Sequence, residues 1–203
     1  MQPETIFQIL VIIYSVILHE VAHGYTAYMF GDKTAYYQNR LTLNPIPHID
    51  IFGSVILPAL LIFSGSPLLA GWAKPVPVNP NNLNPRKLGD FVVSSAGVLT
   101  NLLLCLIFVF VGSQVNNEVT KTLCYIVAIT NIGLAIFNLI PFPPADGYRI
   151  ISVLLPYHLN QKIEFYLSQY FLPIILISLF VATQVFSIIF PFLQNLVYTA
   201  IFN

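Results

Sequence analysis

Charge is what this chain has least of. Eight Lys and Arg and eight Asp and Glu make up 8% of its 203 residues, where ordinary soluble domains carry about 25%. Hydrophobic residues account for 57%, and the mean hydropathy is +0.79, so water is not its main solvent. The charges cancel to a net of zero, and composition therefore offers no footprint for nucleic acid or another highly charged partner. Cysteine is nearly absent as well. Cys105 and Cys124 both lie in apolar runs, which excludes a disulfide framework and a cysteine zinc module and leaves both as membrane-embedded packing residues. No internal repeat, low-complexity tract or second domain is visible, and 1–203 reads as one membrane-embedded domain.

What the chain has instead is long apolar segments. The first runs from Ile6 to Phe30, with no basic residue before it and no small-residue cleavage pattern after it, so it is expected to stay and span rather than act as a signal peptide. Its roughly 37 Å as a helix exceeds a hydrocarbon core of about 30 Å. A helix over about Thr5–Phe30 ends at Gly31-Asp32, a suitable stop. The polar, proline-broken segment Lys33–Asp50 alternates weakly through Thr34, Tyr36, Leu41 and Leu43, which predicts one or two short strands. Ile51–Ala70 is apolar but carries Gly53, Pro58, Gly65 and Pro67; it either crosses or re-enters, and periodicity does not choose. Four prolines between Gly71 and Pro85 force extended backbone there. Leu88–Gly112 and Lys121–Ile140 read as spanning helices joined by a short polar link. A more polar, interfacial piece runs to Lys162, followed by apolar sequence from Phe165 to Phe202, interrupted at Pro173 and Pro191, that is one long crossing or two short ones. The expected fold is an all-α polytopic membrane protein of about five to six transmembrane or re-entrant helices with a small membrane-associated β element.

Lys33, Arg40, Lys74, Arg86, Lys87, Arg149 and Lys162 can all face the cytoplasm, with Lys121 outside, if Ile51–Ala70 re-enters. The protein is expected to be a multi-pass resident of the cell's inner (plasma) membrane.

Within the first apolar helix stands His19-Glu20-Val21-Ala22-His23. In this H-E-x-x-H pattern the imidazoles at i and i+4 share one face and can bind one zinc ion, and the glutamate between them reaches the water that such a metal activates. Two histidines, a carboxylate and an open position form a recognised catalytic zinc arrangement. Chance spacing of residues that pair with neighbouring helices is the competing reading, but ionisable groups inside a membrane span are functional by default. His19 lies about 16 Å along the helix from Phe30, so the site would be submerged and open toward the cytoplasmic side. Candidates for the third ligand are Asp50, Asp90, Asp146 and His48. Asp146 is best placed by context, because it follows the proline-stiffened Asn138–Ala145 and precedes Gly147, which permits a tight turn. Taken alone, an N-cap role for a helix starting near Tyr148 is the stronger reading of this residue.

The combination of HEVAH with NLIPFPPADG at 138–147 resembles the site-2 proteases, intramembrane zinc metalloproteases. RLTLNPIPHIDIFG at 40–53, GWAKPVPVNP at 71–80 and SAGVLTN at 95–101 look like the compact bacterial branch without PDZ or CBS domains. The resemblance covers roughly 15–155, which would be the catalytic core (about 5–155), with C-terminal helices over about 165–203. It implies His19, His23 and Asp146 as ligands of one Zn2+ per chain, Glu20 as general base, and Asn101 as the intramembrane amide that helps hold substrate or the oxyanion. A buried amide of that kind also serves as interhelical packing. His48, Asp50 and Asn138 are implied as substrate-binding or accessory residues. The implied partners are a transmembrane protein substrate and the lipid bilayer, with no nucleic acid; the oligomeric state stays open. Ala145, Val98 and Ile51 depart from residues common in the family without removing a ligand.

Overall fold

A computed structural model describes residues 3–63 and 71–203. Its elements are helical: α1 (Pro3–Met29), α2 (Thr34–Tyr37), α3 (Leu57–Phe63), α4 (Arg86–Gln114), α5 (Glu118–Leu139), α6 (Asp146–Leu154), α7 (Tyr157–Gln169) and α8 (Phe171–Phe202). Four of these, α1, α4, α5 and α8, are long and apolar enough to cross a membrane. The ends of the helices follow from local chemistry. Asn117 caps α5 by accepting the Thr120 N–H at 3.0 Å, and Pro141 forces Ile140 into the extended region that stops it. Pro85 precedes α4 in extended conformation. The C-terminal tail is one helix of 32 residues with Pro191 inside it, about 48 Å long.

The α4 helix packs on α1, α5, α6 and α8. Small residues make this close approach possible: Ala128 and Ala135 of α5 are fully buried, and Gly112 sits where a Cβ would lie 3.1 Å from Cys124 and Ile201. Cys105, Ala128, Val197 and Ile201 form a core where α4, α5 and α8 meet. Asn131 of α5 donates to the Ser15 hydroxyl of α1 at 2.9 Å, a buried polar link between spans. Large apolar side chains such as Leu99, Leu103, Leu106 and Phe110 face outward, as expected where lipid is the solvent. Contacts of His23 with Val93 and of His19 with Gly97 make α1 and α4 antiparallel, and Lys121 over the Phe202 ring with Gly133 against Phe190 does the same for α5 and α8.

The β element is not found among the described residues. Thr34–Tyr37, expected as strand, is a short helix, because the Asp32 carboxylate accepts the Thr34 N–H at 3.1 Å and starts a helical turn. Asn39, in the left-handed region at φ 53°, then turns the chain inward at Arg40. The segment at Ile51 opens as a six-residue π-helical turn and continues into the seven-residue α3; the rest of the expected Ile51–Ala70 segment lies outside the described residues. Its two ends meet, since the Trp72 N–H donates to Gly53 O at 3.2 Å and the Ser54 hydroxyl donates to Trp72 O at 2.8 Å. These bonds hold Gly53, Ser54 and Trp72 together, whereas a single crossing between them would separate them by about the thickness of the bilayer. Residues 72–79 are extended, as their prolines require, but the groups that bond them come from side chains and loops rather than from a strand.

Candidate metal centre

The α1 helix brings His19 and His23 to one face by their i, i+4 spacing, and both are buried. Asp146 reaches them from the first turn of α6. Asp146 Oδ2 lies 3.1 Å from His19 Nε2 and 3.1 Å from His23 Nε2, and the two Nε2 atoms are themselves 3.1 Å apart. Three potential ligand atoms therefore form a nearly equilateral triangle. The residue preceding α6 is Ala145, without a side-chain cap, so the Asp146 carboxylate is spent on the histidines and not on capping its own helix.

The donor set fits zinc. Tetrahedral ligands about 2.0–2.1 Å from zinc stand roughly 3.3–3.4 Å apart, so this triangle need spread by only about 0.3 Å to accept the ion. The tautomer is right as well. His23 Nδ1 donates to Val93 O at 2.7 Å; a carbonyl only accepts, so Nδ1 carries the proton and Nε2 keeps its lone pair for a metal. Gly97 lets α4 pack directly on the two imidazoles: a Cβ there would fall 2.4 Å from His19 Cε1 and from His23 Nε2. Gly97 is a residue that sequence reading did not single out. Its signal was a glycine within a helix, where alanine would be the better helix former.

Glu20 is not part of the triangle. Its Oε2 accepts the backbone N–H of Val76 at 2.7 Å, which joins the extended segment 72–79 to the helix of the histidines. Gly24, one turn further along α1, lets Val76 and Leu41 pack against the helix; a Cβ there would meet them at 2.7 and 2.5 Å.

The other expected site residues are distributed differently. Asn101 is fully buried in α4, one turn beyond Gly97, and neither its amide nitrogen nor its oxygen has a partner among the described residues. Asn138 bonds back to Leu134 O at 3.0 Å within α5. His48 is buried, approaches Thr42 O at 2.9 Å through Nε2, and accepts the Lys74 N–H on its carbonyl at 2.9 Å. Asp50 caps the π-helical turn by accepting the Gly53 N–H at 2.7 Å. Neither His48 nor Asp50 joins the group of three metal-binding side chains.

Asp32, read from sequence only as part of a helix stop, proves to be a buried hub. Besides the Thr34 N–H it accepts the Thr34 hydroxyl, the Asn79 N–H at 2.6 Å and the Asn82 amide at 3.0 Å. Burial alone would raise its carboxyl, but these four donors outweigh that and hold it below the ordinary carboxylate range.

Four membrane-length helices and a His-His-carboxylate centre between α1, α4 and α6 define a polytopic helical membrane protein with a site suited to a transition metal. The relatives agree. The chain is 39% identical over 166 residues to "Putative zinc metalloprotease YwhC" of Bacillus subtilis, covering 77% of this chain and 72% of that protein. It is 30% identical over 153 residues to "Putative zinc metalloprotease Rip2" of Mycolicibacterium smegmatis and 30% identical over 141 residues to the Mycobacterium tuberculosis H37Rv protein of the same name. Those matches cover 74% and 68% of this chain but only 56% and 53% of the mycobacterial proteins. No family model matches the chain, and no solved structure does. The chain belongs to the site-2 protease family of zinc metalloproteases.

Proposed function

We propose that this protein is a zinc metalloendopeptidase that hydrolyses peptide bonds in or near transmembrane segments of membrane proteins, as a step of regulated intramembrane proteolysis. The observation that carries the reading is the 3.1 Å triangle of His19, His23 and Asp146 among membrane-length helices, with Glu20 in the turn between the histidines. His19, His23 and Asp146 would hold one Zn2+ per chain, which supplies a Lewis acid that polarises the scissile carbonyl and acidifies a water molecule.

The residues of the chain do the rest. Glu20, held through one carboxylate oxygen by the Val76 N–H, takes the proton of the attacking water on its carboxylate and passes it to the leaving amine. Asn101, whose buried amide has unused hydrogen-bonding capacity, would donate to the developing oxyanion or hold substrate. Asn138, His48 and Asp50 would serve as accessory residues; the hydrogen bonds of His48 and Asp50 support a role in shaping the loop beside the extended segment. An unwound substrate could add its backbone beside Trp72–Asn79, whereas Thr34–Leu43 begins as a helix and offers no such edge. The α1 and α5 spans run one way and α4 and α8 the other, so Lys33, Arg86, Lys87, Arg149 and Lys162 lie beyond the same helix ends and Lys121 at the opposite one. By the positive-inside rule this supports an orientation in the inner (plasma) membrane with the site open to the cytoplasm.

The test is cleavage of a model transmembrane peptide by the purified protein in proteoliposomes, with and without zinc. Zinc-dependent cleavage at a peptide bond within or beside the membrane segment is expected. No cleavage by the zinc-loaded protein, or cleavage only of soluble peptides, overturns the reading.

A further inference from the structure

Pro75 and Val76 share a peptide unit whose two polar ends are both taken by charged side chains. Its N–H donates to Glu20 Oε2 at 2.7 Å. Its carbonyl, on Pro75, accepts from Arg40 Nη2 at 3.2 Å, and the same nitrogen donates to the preceding carbonyl of Lys74 at 2.7 Å. Arg40 is 5% exposed and makes no ion pair among the described residues. The acidic group whose charge acts on it is Glu20. Burying a guanidinium without a carboxylate in contact is costly, and a neutral donor would be enough merely to tie down a loop. A positive charge at the carbonyl end of a peptide, however, polarises that peptide and strengthens the bond its N–H makes to a carboxylate at the other end.

The surrounding sequence leaves this peptide little freedom. Pro75 and Pro77 have no N–H, so Val76 carries the one backbone donor in Pro75-Val76-Pro77. Lys74 and Val76 both precede prolines and are confined to extended conformations. The Lys74 N–H is fixed on His48 O at 2.9 Å, and the Val76 side chain is buried against Gly24. Rotating the Val76 N–H away from Glu20 would pull the Pro75 carbonyl from Arg40.

We propose that Arg40 is a positioning residue for Glu20, acting through the Pro75–Val76 peptide to fix one oxygen of the carboxylate so that the other stays available for proton transfer. This rests on the reading of Glu20 as the residue that moves the proton. Misplacement of a reacting group by about 1 Å costs on the order of 100-fold, which sets the scale of the effect.

The experiment compares wild type, R40M, R40K and E20Q, measuring kcat and KM on the model peptide, zinc per chain, and the 15N-valine spectrum, in which V76I identifies the Val76 amide. R40M should lose roughly 10- to 100-fold in kcat with KM and zinc content unchanged. R40K, whose ammonium can donate to the same carbonyls, should recover part of that loss. The Val76 amide proton should lie downfield in wild type and move upfield in both R40M and E20Q. An R40M protein with wild-type kcat, one that loses zinc together with activity, or an unshifted Val76 amide would each overturn the role of Arg40. A wild type that cleaves nothing sinks the proposed function instead, and the amide shift still decides whether Arg40 governs the Glu20–Val76 bond.

Discussion

Glu20 and Val76 are 56 positions apart in the chain, yet the Val76 N–H donates to Glu20 Oε2 at 2.7 Å. One oxygen of the glutamate in the H-E-x-x-H turn is thereby committed to backbone, and the proline-flanked segment that supplies the N–H is tied to the helix that carries both histidines.

Replacement of Glu20 by Gln preserves shape and removes the proton acceptor. E20Q should keep its zinc and lose cleavage by about 100- to 10,000-fold, the usual contribution of a general base. Metal analysis beside peptide cleavage checks both halves. Unchanged cleavage would exclude Glu20 from proton transfer.

Asp146 brings the one formal negative charge of the metal-binding group. D146N should bind zinc at least as poorly as when a supporting residue around a metal is lost, about 10- to 100-fold, with α1 and its histidines intact. Competition with a calibrated chelator gives the affinity. A wild-type value would remove Asp146 from the ligand set.

At Gly97 local and tertiary effects have opposite signs. Alanine favours a helix interior by about 0.5–1 kcal/mol over glycine, but its methyl would fall 2.4 Å from both imidazoles. G97A should therefore retain helical content by circular dichroism and lose zinc. Full zinc occupancy in G97A would show that α4 does not close the site as described.

Asp32 links stability to pH. Its folded pKa is lowered, so its contribution is fully present above the unfolded value of about 3.9 and is lost as pH falls through the lower folded value. The thermal unfolding temperature in detergent should fall as pH drops below about 4. D32N should be less stable at neutral pH by about 1–3 kcal/mol and flatter over the acid range. Equal acid sensitivity of both proteins would assign the loss to other groups.

Local regularities were legible in the sequence because they obey short periods. The α1, α4 and α5 helices fall within a few residues of their expected limits, since an apolar run of membrane length has few alternatives to a helix in lipid. The extended course of 72–79 followed from proline. Thr34–Tyr37 was misread because its alternation is weak, and a single carboxylate, that of Asp32, decides the turn. The Ile51–Ala70 segment stayed undecided because composition is the same for a crossing and a re-entry, and the bonds joining Gly53 and Ser54 to Trp72 link residues too far apart for a short period to foresee.

The sequence by itself determined that this is a membrane protein, that His19 and His23 share a helix face, and that Glu20 stands between them, for these are matters of composition and of i, i+4 geometry. Tertiary structure alone decided that Asp146, 123 positions from His23, completes the triangle rather than capping its own helix, that Gly97 leaves room beside it, and that Arg40 and Glu20 grip opposite ends of one peptide. The physical reason is distance along the chain. A periodic pattern fixes neighbours within a few turns, whereas which remote carboxylate, glycine or carbonyl meets them depends on how antiparallel spans pack and where proline lets the chain return.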